Sequence, residues 1–149
     1  MKIEYFKKTD IIYFRRIGKY GSENLVVMEQ IKNYAKNQGL FENSTILAIA
    51  QDNPQFVNPE ACRFDACLCV SSSYRPNDIQ GNLYFSSISA GKYVVFLIEH
   101  TSKAIEEFYA NILKNVNKYD LKLDNKPIVE RYRQQLVDQG KCEIMLPIK

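Results

Sequence analysis

The 149 residues are 46% hydrophobic and 25% charged, which excludes a disordered or fibrous chain and fits one ordinary domain or two small fused halves. Twenty basic against seventeen acidic residues leave a formal net charge of +3. The pairs Lys7-Lys8 and Arg15-Arg16 are short, and the absence of longer like-charge runs argues against DNA binding by this chain alone.

Residues 10–17 (DIIYFRRI) are β-branched and aromatic and stop at Gly18, which reads as a strand entering the turn Gly18-Lys19-Tyr20-Gly21. Ser22 and Glu23 follow, and Leu25, Met28, Ile31 and Ala35 recur at helical spacing until Gly39. Residues 46–50 (ILAIA) and 64–70 (FDACLCV) are short apolar runs expected as strands, with a loop carrying Pro54 and Pro59 between them. Residues 71–80 (SSSYRPNDIQ) form a polar, turn-rich linker.

The second half begins with strands over 83–88 and 93–99. One helix is predicted from about Ser102, with Ile105, Phe108, Tyr109, Ile112, Leu113 and Val116 on its buried stripe and Lys103, Glu106, Glu107 and Lys114 in solvent. Strands over 128–133 (IVERYR) and 142–148 (CEIMLPI) complete the chain. The order strand, helix, strand, strand has therefore occurred twice. The expected fold is α+β: two such repeats, about 1–78 and 79–149, related by a pseudo-two-fold axis within a single domain. Their strands make an antiparallel sheet, Ala48 and Glu130 fall on corresponding strands, and a cleft opens between the halves beside two main helices.

No apolar stretch reaches the roughly 18–20 residues that span a bilayer. The N-terminal MKIEYFKK also lacks the apolar core of a signal peptide, so a cytoplasmic location is expected. Cys67 and Cys69 sit two apart in an apolar strand, and His100 is the lone histidine. With Cys62 and Cys142 they are read as free, buried thiols and not as a metal site; no cofactor is expected. A phosphate loop is missing, since Gly18-Lys19-Tyr20-Gly21 is not followed by Lys-Ser or Lys-Thr, and no nucleophile elbow occurs.

The strings IIYFRRIGKYG, DNP, CRFDACLCV, SAGKYVVF, PIVERY and EIMLPI, in that order from about residue 10 to 148, resemble the GyrI-like domain. That family includes gyrase-inhibitory proteins and the effector-binding domains of AraC-type and MerR-type multidrug regulators. The resemblance implies a small-molecule pocket between the repeats, lined by aromatic side chains, with a central carboxylate that meets cationic aromatic ligands. On this chain only Glu130 matches the carboxylate. The resemblance also implies that the chain is not a whole transcription factor, because it opens at the first strand of the effector domain with no helix-turn-helix ahead. Tryptophan, common near the first helix of relatives, is absent, so no member's ligand preference carries over.

Glu130 stands out on its residues as well. On a strand it shares a face with Ile128 and Tyr132, and an ionised carboxylate on a buried face is costly unless paired. Either it binds a cation or acts as an acid or base, or it is a strand-edge Glu paired with Arg131 or Arg133. Phe64, Tyr93, Ile105, Tyr109 and Tyr132 are the other candidate ligand-binding residues, with core packing as the alternative for each; stacked rings suit flat cations. Met28 and Met145 could soften such a pocket or simply fill the core.

Three functions follow from the resemblance and these residues. The leading one is a stand-alone domain that senses or sequesters amphipathic, cationic small molecules in a bacterial-type drug or stress response. The second is a protein-interaction module on a partner such as gyrase. The third is a hydrolase of strained cyclopropane-containing electrophiles, with Glu130 as general base and Tyr93 or Tyr132 as phenolic donor.

Overall fold

The computed structural model describes residues 1–76 and 81–149. Its strands are β1 (Lys2–Phe6), β2 (Thr9–Ile17), β3 (Thr45–Ala50), β4 (Arg63–Val70), β5 (Leu83–Ile88), β6 (Gly91–Glu99), β7 (Val129–Arg133) and β8 (Lys141–Ile148). The helices are α1 (Asn24–Asn37), α2 (Ser102–Ala110), α3 (Ile112–Lys118) and the single turn α4 (Gln134–Val137). All eight strands join one antiparallel sheet in the order β1-β6-β8-β7-β3-β4-β2-β5.

Read inward from its two edges, that order is palindromic. β1-β6-β8-β7 has the same form as β5-β2-β4-β3, so β3 and β7 are matching strands and pair at the centre, with Ala48 directly opposite Glu130. Each half carries one strand ahead of its strand-helix-strand-strand unit, β5 in the second half, expected from the sequence, and β1 in the first, which was not; these leading strands are exchanged, β1 pairing with β6 of the second half and β5 with β2 of the first. β1 escapes a sequence reading because its five residues, KIEYF, mix charge with apolar side chains and its partner lies some ninety positions away. The expected boundary at 78/79 lies outside the described residues.

The exchange bends the sheet. β1 and β2 lie in opposite wings, yet only Lys7 and Lys8 separate them, and a link that short spans roughly 11 Å at most. Ser89 and Ala90 impose the same limit between β5 and β6. The wings must therefore meet at that end, and the face without helices closes on itself. Leu47, Cys67 and Met145 are wholly buried there, packed with Phe6, Tyr93 and Val129.

The opposite face carries the helices. α1 seals Ile12, Phe14, Ala66 and Leu68 through Ile31, Tyr34 and Ala35, while Phe108 of α2 seals Val94, Phe96, Ile144 and Leu146. The single second helix of the sequence reading is interrupted at Asn111. The Asn111 side-chain amide donates to the Glu107 carbonyl at 2.8 Å, a local bond of the kind that competes with helical hydrogen bonding. The break turns α3 so that Leu113, expected on the buried stripe, is 72% exposed while Ile112 and Val116 still pack.

Candidate functional site

Strand alternation in β7 assigns Glu130 and Tyr132 to the helix face, and Val129 and Arg131 to the closed one. Because β7 is a central strand, Glu130 comes up in the seam between α1 and α2, where a cleft of about 550 Å³ opens. Its floor is Ile46, Ala48, Phe64, Glu130 and Tyr132. The small Ala48 side chain opposite Glu130 leaves room above the carboxylate. Leu25, Met28, Glu29, Lys32 and Lys36 of α1 form one wall, since residues three and four apart share a helical face. His100, Thr101, Ser102 and Ile105 at the start of α2 form the other, and Phe41, Gln134 and Val137 close one end.

Two phenols hold the carboxylate. Tyr132 donates its hydroxyl to Glu130 Oε1 at 2.5 Å, and Tyr109 donates to Oε2 at 2.9 Å. Burial raises the pKa of both phenols, and the neighbouring Glu130 charge raises them further, so both remain protonated donors. Among the described residues no Lys, Arg or His forms an ion pair with Glu130.

Its neighbours on the strand are engaged elsewhere. Arg131 bonds Glu4 at 2.7 Å and Glu143 at 2.9 Å, and Arg133 bonds Glu143 at 2.7 Å, which removes the strand-edge ion-pair reading of Glu130. His100, 5.3 Å from Tyr132 between ring centroids, has its pKa lowered by desolvation and then by the charge of Lys32; it is neutral at neutral pH and brings no counter-charge.

A palindromic eight-stranded sheet with a carboxylate in its seam can be compared with known proteins. The GyrI-like small molecule binding domain matches residues 1–149. The chain belongs to this family. A relative in Bacillus subtilis (strain 168), described as "SPbeta prophage-derived putative transcriptional regulator YosT", is 36% identical over 148 residues, covering 99% of this chain and 97% of its own length. The C-terminal domain of EcmrR superposes with a TM-score of 0.68 at 14% identity, over 99% of this chain and 96% of that one. In a complex of EcmrR with DNA the match has a TM-score of 0.72 at 15% identity, and this chain spans 56% of that protein. SAV2435, solved bound to tetraphenylphosphonium, matches at a TM-score of 0.59 and 12% identity over 99% of this chain and 93% of its own. At these identities the structures establish a shared fold.

Within this GyrI-like domain the expected site residues separate. Phe64, Ile105, Glu130 and Tyr132 line one cleft, and Tyr109 reaches it through its bond to Glu130, being one helical turn beyond Ile105. Tyr93 is a correction. It lies on the closed face, edge-on to Phe6 with ring centroids 5.9 Å apart, and is 3% exposed. β6 alternates, and it is Val94 and Phe96 that face the helices. Met145 is likewise on the closed face, whereas Met28 does line the cleft.

The sequence reading missed Lys32, Lys36, His100, Phe41 and Gln134. A signal for the lysines existed, because Met28, Lys32 and Lys36 repeat every four residues on one face. Phe41 and Gln134 are brought to the site by turns that carry no such period.

The four thiols are free, and burial first of all pushes the Cys69 and Cys142 pKa values up to about 12 and that of Cys67 well above its ordinary value. Among the described residues no helix is long and apolar enough to cross a membrane.

Proposed function

We propose that this GyrI-like domain captures amphipathic small molecules with a flat or propeller-shaped aromatic cation, and acts as a sensor or sequestering protein in a drug or stress response. One observation carries the reading: Glu130 stands in the seam of the cleft, held by two phenols and paired with no cation of its own. A carboxylate drawn partly out of water gains most from an opposite charge that fills the same space. The aromatic and aliphatic walls (Phe64, Phe41, Met28, Ile105) supply apolar burial at about 25 cal/mol per Å² before binding costs. The regulator description of the YosT relative and the tetraphenylphosphonium held by SAV2435 agree with this reading.

The hydrolase alternative is less well supported. It requires Glu130 to take a proton from water, whereas both its oxygens already accept phenolic hydrogen bonds, and Tyr93 is on the other side of the sheet. Isothermal titration of tetraphenylphosphonium, with triphenylphosphine oxide as its neutral counterpart, tests the proposal. Glu130→Gln should weaken the cation and leave the neutral compound nearly unchanged; equal binding of both compounds by both proteins would refute it.

A further inference from the structure

The charge in the cleft is not all negative. Glu130 is half-buried at its floor, while Lys32 and Lys36 line α1 toward solvent, Lys36 fully on the exposed side. Lys36 has no carboxylate within ion-pair distance among the described residues; its ammonium lies instead over the Phe41 ring, 4.8 Å from the centroid, which fixes it to the cavity wall. Among the described residues Lys32 pairs with the exposed Glu29 alone, at a loose 3.5 Å. Across the opening the first turn of α2 presents its positive end at Thr101 and Ser102. Lys32 also reaches across electrostatically, since its charge helps lower the His100 pKa.

This polarity matters for what fits. A guest bearing a lone positive charge would gain at Glu130 and lose toward Lys32 and Lys36, which line the same cleft, since charges interact over roughly 8 Å at physiological salt. A guest with a cationic aromatic system and an anionic arm would gain at both ends. From Met28 to Lys36 the α1 wall extends about 12 Å along the cleft, enough for a tricyclic ring system with a substituent near Lys36.

We propose that the ligands of this cleft are zwitterionic amphiphiles, with a delocalised cation on Glu130 and a carboxylate or sulfonate arm received by Lys36 and Lys32 at the lip. This deepens the cation-capture reading and rests on it.

Two xanthylium dyes that differ only at the arm make the test: rhodamine 110, with a free benzoate, and its methyl ester rhodamine 123, followed by fluorescence anisotropy. The wild type should bind rhodamine 110 about two- to fivefold more tightly than the ester, the range expected of a screened surface charge pair, and 1 M salt should abolish the difference. Lys36→Met should remove most of the preference, and Lys32→Met with Lys36→Glu should invert it. Both positions face solvent, so thermal unfolding should shift only slightly, by the loss of the Lys36 contact with Phe41 and with the C-terminal end of α1. Glu130→Gln should weaken both dyes alike.

If the wild type binds the ester as tightly as the acid, or if the lysine variants shift both dyes equally, the zwitterion proposal is overturned while cation capture stands. If Glu130→Gln leaves both dyes at wild-type affinity, or the wild type binds neither, cation capture and the proposal built on it both fail.

Discussion

Glu130 and Arg131 are adjacent in β7, opposite in charge, and in opposite situations. Arg131 points into the closed face, where it is 6% exposed and donates four hydrogen bonds to Glu4 and Glu143. Glu130 points into the seam under the helices, where phenols steady it but no cation neutralises it. A buried charge with its hydrogen bonds directed to opposite charges is part of the framework. A charge that is fixed in place but uncompensated is poised for something the chain does not itself contain. On the proposed reading, the two faces of one strand separate support from recognition. The closed face holds the wings of the sheet together, and the helix face keeps its central carboxylate available.

The largest effect should come from breaking the saturated side. Arg131→Met leaves Glu143 with Arg133 alone and Glu4 without its guanidinium; losing one member of a buried pair costs roughly 3–5 kcal/mol, to be read from chemical denaturation. Ligand binding by whatever remains folded should be little changed. If Arg131→Met proves as stable as wild type, the contrast between the faces is lost.

Next in size is the unsaturated side. Glu130→Gln should reduce tetraphenylphosphonium affinity by about 2–5 kcal/mol, the range for removing one partner of a desolvated charge pair, with folding stability unchanged or slightly raised. Calorimetric titration and a denaturation curve on the same sample separate the two quantities. A Glu130→Gln protein that binds normally and unfolds more easily would make Glu130 a structural residue.

Acid should act through the closed face. Burial alone would raise the Glu143 pKa, but the guanidinium bonds from Arg133 and Arg131 overcome it and hold it at about 2 against an ordinary 4.5; Arg131 lowers Glu4 too. A folded-state pKa below the unfolded one gives stability that is complete above about pH 4.5 and fades as the pH falls toward 2. Unfolding free energy measured down that range should drop by a few kcal/mol in the wild type and by less in Arg131→Met, where Arg133 still holds Glu143. Parallel acid limbs would show that the network does not govern acid stability.

The smallest effect sharpens the comparison by its absence. Tyr93→Phe should leave tetraphenylphosphonium binding within error, because Tyr93 packs on Phe6 behind the sheet, whereas Tyr109→Phe removes a donor from Glu130 and should change it by about 1 kcal/mol, the worth of one hydrogen bond. Titration of both variants decides; a Tyr93→Phe protein with impaired binding would return that side chain to the site.

Much of this was legible in the residues. Strand and helix periods located β2 to β8 and the main helices within a residue or two, because each side chain's face repeats every two or 3.6 positions whatever lies far away. The same alternation set Glu130 with Tyr132 and apart from Arg131. Other features depend on partners distant in the chain. β1 becomes a strand by joining β6, and Asn111 divides the second helix by a bond only geometry reveals. That Tyr93 does not join Phe64 in the cleft was not legible either, since which face of β6 meets the helices depends on register against β8, in which Tyr93 pairs with Pro147.

By itself the sequence determined the α+β repeat and the face assignment within β7, since these follow from local periodicity, while Glu130 was singled out as the pocket carboxylate by the resemblance to the GyrI-like family. Tertiary structure alone decided the strand exchange between the halves, the company Glu130 keeps and the lysines at its lip. Two-residue links forced the wings together, Arg131 and Arg133 were drawn to acids on β1 and β8, and packing of α1 on β2, β4 and β3 set Lys32 and Lys36 along one wall of the cleft that holds Glu130.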